Sequence, residues 1–145
     1  MRLELLCEME LAYRHEDLVG GQVVLLRPYS SEEGLAYGEG DGTVKGSRIS
    51  GKLRWVNHPR RRSDGVFLPD THGIIRTEDD AVVIFSLRGR TVFRGDKGNQ
   101  LLTIEFEAED ERYTWLNTTL CVLEGVIQDV GMRARVYSCI NELLE

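Results

Sequence analysis

The sequence predicts an all-β protein: one antiparallel β-barrel of about eight to nine strands, spanning residues 1–145 as a single domain. Three observations predict it. Apolar and polar residues alternate with period two over long segments. The chain has 15 glycines and only 3 prolines, with glycine falling between short apolar runs where tight turns are needed. No convincing helix of normal length can be drawn, so helical crossovers are missing and neighbouring strands should run antiparallel.

From Leu3 to Arg14 the alternation is clear. Leu3, Leu5, Cys7, Met9, Leu11 and Tyr13 fall on one face, and Glu4, Glu8, Glu10 and Arg14 on the other. Gly20-Gly21 marks a turn before a short strand, Gln22 to Leu26. Pro28 to Asp41, rich in Ser, Gly and acids, reads as a loop that could serve as a lid. From Gly42 to Trp55 the glycines interrupt a strand pattern, which implies bulges, a bend or the close approach of another backbone.

Asn57 to Gly65 is a polar loop carrying Arg60-Arg61-Arg62, and Val66 to Thr77 is the next strand. Glu78 to Asp80 turns the chain into the apolar run Ala81 to Phe85, which continues to Gly89. Asp96 to Asn99 forms a hairpin turn into Leu102 to Ala108. Arg112 to Asn117 reads as the start of a further strand that runs on to Ile127. Val130-Gly131 turns into Arg133 to Ile140, and Asn141 to Glu145 could form a short helical tail.

Charge and composition exclude several functions. The net charge of -6 with 29% charged residues argues against nucleic-acid binding, which would show a basic patch. No apolar stretch reaches membrane-spanning length. The three cysteines, Cys7, Cys121 and Cys139, sit in apolar strand runs with no CxxC pair and no secretory segment ahead of them. Buried reduced thiols in a cytoplasmic protein are expected. The histidines, His15, His58 and His72, lack zinc-site spacing, so no metal is expected. No Gly-rich phosphate loop opens a helix and no Gly-x-Ser-x-Gly elbow exists, so no cofactor is expected either.

Two groupings carry candidate chemistry. Asp70 and His72, two apart on a strand, share a face at roughly 6.5–7 Å along the chain. A carboxylate near an imidazole orients it and suits it to acid/base work near neutral pH. On a solvent-facing strand the same two residues would be an ordinary polar pair. In an extended Tyr113-Thr-Trp115-Leu-Asn117, the two rings and the amide would share one face: a hydroxyl, a stacking surface and a donor for a developing oxyanion. Buried in a core, the rings would need only one polar partner each. Trp55 could face them across the barrel. Glu105 and Glu107 line the lumen only if the apolar face of their strand points outward, and are solvated otherwise.

Several motifs follow one another in order: Gly42, Gly46 and Gly51 in one strand, Arg62-Ser-Asp64-Gly65, Asp70 with Thr77-Glu-Asp79, Arg88-Gly89, Phe106-Glu107 and Tyr113-Thr-Trp-Leu-Asn117. Together they resemble the domain of unknown function 3237 family of small β-barrel proteins. The resemblance covers about residues 40–120 and implies a barrel with a pocket. The family's usual Gly-Gly-x-Asp-Trp is replaced by Arg54 to Pro59, and its Asp-x-Arg-Tyr by Asp70 to Gly73. The polar lining should differ accordingly.

The reading that follows is a cofactor-independent small-molecule enzyme of isomerase, cyclase or lyase type. Asp70, His72 and Tyr113 would be catalytic, with Trp55, Trp115, Asn117 and Glu107 binding the substrate. The alternatives are a lipocalin-like carrier of an apolar small molecule and a scaffold with a filled barrel. A homodimer or higher homo-oligomer is expected, with no nucleic-acid or membrane partner.

Overall fold

The computed structural model describes residues 1–14, 21–27, 33–129 and 131–144. Eight long or medium strands close into an antiparallel barrel. They are β1 (Arg2–Tyr13), β3 (Gly34–Lys45), β4 (Gly51–Asn57), β7 (Asp70–Thr77), β8 (Val82–Arg94), β9 (Lys97–Ala108), β10 (Cys121–Gln128) and β11 (Gly131–Ile140). Each pairs with the next in that order, and β11 returns to β1. Three short strands decorate one end: β2 (Val23–Leu26) on β3, β5 (Arg60–Arg61) on β3 and β6 (Phe67–Leu68) on β5 and β8.

The lumen is the core. Met9, Val44, Leu53, Ile75, Phe85 and Ile104 are among the buried side chains that fill it. Glu105 and Glu107 therefore lie on the solvated outer face, while Leu102, Ile104 and Phe106 point inward. Glycine lets the curled wall meet these rings. A Cβ on Gly40 would stand 1.8 Å from the Ala12 carbonyl oxygen and 2.9 Å from the Trp55 ring. On Gly73 it would stand 2.2 Å from the Phe85 ring. The interrupted strand is thus a place of close approach, one of the options its glycines implied.

Local expectations are corrected at six places, the first being the expected polar loop from Asn57 to Gly65, in which Arg60–Arg61 forms β5. A bulge between Leu5 and Cys7 reverses the alternation of β1. Leu3 and Leu5 consequently face out, and Cys7, Met9 and Leu11 face in. Gly34 to Asp41 is not loop but the first half of β3, because its glycines fit against β1 and β4. Residues 28–32, the rest of the expected lid, lie outside the described residues, as do Gly20, Val130 and Glu145. The expected Val66–Thr77 strand breaks at Pro69, which cannot donate to a ladder, into β6 and β7. Thr114–Thr118 is a 3₁₀ helix rather than a strand. The chain after Ile140 holds a turn and no helix among its described residues. None of the described helices is long and apolar enough to cross a membrane.

Candidate functional site

The Tyr113–Asn117 stretch lies between the C-terminal end of β9 and the start of β10. Asp110 starts the bend: its backbone carbonyl accepts the Tyr113 N–H at 2.8 Å, and its carboxylate accepts the Arg112 N–H at 3.0 Å. Such local acceptors compete with a sheet ladder and favour a turn. The 3₁₀ winding points the three side chains in different directions. The Tyr113 hydroxyl donates to Asp79 at 2.6 Å. The Trp115 indole donates to the Arg112 carbonyl at 3.1 Å, and the Arg48 guanidinium stacks over its ring at 3.6 Å. Asn117 accepts from the Ala108 N–H at 2.7 Å and donates to the Ala108 carbonyl at 2.8 Å. Leu116 is buried and joins the core at this end.

Asp79, itself hydrogen-bonded by Thr77 and Tyr113, is held below the usual carboxylate range. Burial, followed by the Asp79 carboxylate, pushes the Tyr113 phenol up. The network ties the β7–β8 turn to the 3₁₀ helix. All three polar groups expected to face a ligand are hydrogen-bonded to the protein.

Asp70 and His72 do meet, at 2.9 Å between Oδ1 and Nε2. Arg88, opposite Asp70 on β8, reaches the same carboxylate oxygen at 3.1 Å. The trio is on the outside of the barrel, with the Asp70 and His72 side chains 41% and 55% exposed. In β7 it is Thr71, Gly73, Ile75 and Thr77 that point inward. Trp55 lies at the other end of the barrel from Trp115: its partner is Tyr13, ring centroids 5.1 Å apart and edge to face. Its indole donates to the Asp41 carbonyl at 3.1 Å.

This second end holds a polar part of the lumen, with Thr71, Thr91 and Gln100 among its buried side chains. A chamber of about 30 Å³ opens among apolar walls (Leu11, Leu87, Leu102) and the polar side chains of Tyr13, Asn57 and Gln100. It has room for one or two waters, or for the polar tip of a small molecule. Gln100 is 5% exposed; its amide nitrogen donates to Thr91 at 2.9 Å, and its Oε1 is buried without a partner. Asn57 Oδ1 accepts the Asp70 N–H at 3.0 Å. Tyr13 is the titratable side chain lining the chamber, and burial pushes its phenol up, so the ring is neutral at pH 7.

Of the sequence-derived candidates, only Trp55 reaches this chamber. Gln100 and Asn57 were legible in principle as uncharged amides in register with Leu102 and Ile104, and with Leu53 and Trp55. Tyr13 lay on the apolar face of the first strand. His58 stacks edge to face on Tyr37 at 5.0 Å, and His15 lies outside the described residues. No cluster of three or more His, Cys, Asp or Glu able to hold a metal occurs among the described residues.

Comparison with solved structures gives the same barrel. A β-barrel-like protein from Acinetobacter baumannii AYE superposes with TM-score 0.80 at 18% identity, covering 94% of each chain. A protein of unknown function from Clostridium acetobutylicum gives 0.84 at 15%, over 97% of this chain and all of that one. A protein described as an enzyme, from Penicillium herquei, gives 0.68 at 18%, over 95% and 94%. No match is found among curated proteins. A family model matches residues 2–139, almost the whole barrel, and the chain belongs to that family, described as protein of unknown function (DUF3237).

Proposed function

We propose that this protein binds a small, neutral, largely apolar organic molecule at the Tyr13–Gln100 end of the barrel. The observation that carries this is the chamber itself: apolar walls, uncharged hydrogen-bonding groups, and one buried oxygen without a partner among the described residues. Ligand sites likewise place few polar groups on an apolar surface; at about 30 Å³ this chamber takes the polar tip of the molecule and not its body. The chamber fits holding better than proton transfer, because Tyr13 is its titratable side chain and stays protonated. A carrier role follows, in a cytoplasmic setting supported by the buried free thiols Cys7 and Cys121.

A second reading is favoured by a different observation. The Asp70–His72 pair, with Arg88 on the same carboxylate, has the geometry of an oriented acid/base dyad. The structural neighbour described as an enzyme supports catalysis on this barrel. In this reading the protein is a cofactor-independent isomerase, cyclase or lyase working at the outer wall.

One experiment separates the readings. Small neutral alcohols, ketones and aromatics are titrated into isotope-labelled protein and followed by NMR. Shifts centred on Trp55, Asn57 and Gln100, with compounds recovered unchanged, are expected. Shifts confined to His72 and Arg88, or chemical conversion lost on Asp70→Asn, would sink the carrier reading.

A further inference from the structure

We infer that the chamber selects a ligand group that donates a hydrogen bond, an alcohol or phenol hydroxyl or an uncharged N–H, with Gln100 Oε1 as its acceptor. The inference deepens the binding reading above and rests on it.

Gln100 stands on β9 at an inward position, opposite Thr91 of β8, in the register that places Leu102 and Ile104 in the core. A residue so placed would ordinarily be apolar. Its amide nitrogen is used on the Thr91 hydroxyl, which fixes the side chain and leaves the other end, Oε1, with no hydrogen-bond partner among the described residues. An unpaired buried carbonyl is unfavourable, and native proteins rarely keep one without a use or a water. A water fits the chamber and can satisfy this oxygen. A ligand hydroxyl reproduces that hydrogen bond as it displaces the water, while a group that only accepts cannot.

The surroundings sharpen the class. Among the described residues no cation lines the chamber, and the polar side chains that do are uncharged. A carboxylate or phosphate entering it would lose its hydration and meet the negative end of the Gln100 carbonyl, so anions are excluded. At the same end the half-buried Tyr13 ring, packed edge to face on the buried Trp55, gives the ligand an apolar neighbour.

The test uses four probes of one shape: cyclohexanol, cyclohexanone, methylcyclohexane and cyclohexanecarboxylate. Binding is read from the Trp55 indole and the Gln100 side-chain amide signals of the full chain. Cyclohexanol should bind roughly five- to a hundred-fold tighter than cyclohexanone, the range for leaving one buried acceptor unpaired. Carboxylate should not enter. Gln100→Leu should lower cyclohexanol affinity to that of cyclohexanone and leave methylcyclohexane unchanged or tighter. Equal binding of alcohol and ketone at Trp55, or a preference for the ketone, would overturn the donor inference while leaving the binding site standing. Failure of all four probes to shift Trp55 or Gln100 would overturn both. Should Gln100→Leu not fold, the alcohol-to-ketone ratio on the unaltered chain decides alone.

Discussion

Asp70 and His72 hydrogen-bond at 2.9 Å on the outer wall of the barrel, while Thr71 between them is buried in its lumen. One residue of strand separates solvent from core. The dyad and the chamber are therefore on opposite sides of the wall, and substitutions at one should not reach the other. Asp70→Asn with His72→Gln should change cyclohexanol affinity at the chamber by less than about two-fold, since exposed pairs of this kind contribute little to stability. A ten-fold loss, measured by NMR titration, would place the ligand on the outer wall.

Asn117 belongs to the most specific motif of the chain, yet both ends of its amide are spent on Ala108. Its part is to pin the 3₁₀ helix to the last residue of β9. Asn117→Ala should cost about 1–3 kcal/mol of stability for the two hydrogen bonds. Chemical denaturation measures this, and probe binding at the far end should be unchanged.

Burial pushes the Cys7 thiol up to about 12, with the Cys121 and Glu8 charges adding to it, and the Cys121 thiol to about 11. Neither should form a thiolate near neutral pH, and thiolate is the reactive form. Cys139 is the partly exposed one, which departs from the expectation of three buried thiols. In the native protein an alkylating reagent should modify Cys139 alone, and all three cysteines after denaturation, as counted by intact mass.

The reversed start of β1 leaves Leu3 and Leu5 exposed, at 51% and 58%, near Leu120, which is itself 55% exposed. They border Cys139, Tyr137 and Val122 on the same outer face. We propose that a second copy of the chain covers this strip, because soluble monomers rarely leave a contiguous apolar patch exposed. Light scattering should give a dimer or larger, Leu5→Lys should shift it to monomer, and Cys139 alkylation should slow as the protein is concentrated.

Stability should fall at both extremes of pH. Arg62 and the Val66 N–H hold Asp64 down at about 2, and Arg112 holds Asp110 there. Asp79 is lowered by Thr77 and Tyr113. Depressed carboxylates contribute fully above the ordinary value of about 4, and that contribution is lost as pH falls towards 2. The Tyr13 and Tyr113 phenols, pushed up by burial, act in the opposite sense. Their contribution is intact below about 10 and lost as pH rises through the folded value. Thermal melts from pH 2 to 11 should show a plateau between these limits, and Asp79→Ala should flatten the acid side.

Alternation in sequence was enough to place the barrel strands from Leu102 to Ala108 and from Arg133 to Ile140. It was also enough to put Asp70 beside His72. Which side of the wall each set of residues faces was harder. In β7 both faces carry an isoleucine, Ile74 outside and Ile75 inside, so composition is balanced and only closure of the barrel decides. The β1 bulge is invisible for a similar reason: Leu5 and Leu6 are equally apolar, and the extra residue is absorbed by pairing with β11. The bend at Tyr113 depended on hydrogen bonds to Asp110, Asp79 and Ala108, and Asp79 comes from a distant turn. By itself, then, the sequence determined an antiparallel barrel, its family and the pairing of neighbouring side chains, because these depend on local period and composition. The tertiary structure alone decided what lies inside. Burial belongs to the closed wall, and only closure brings Tyr13, Asn57 and Gln100 together from β1, β4 and β9.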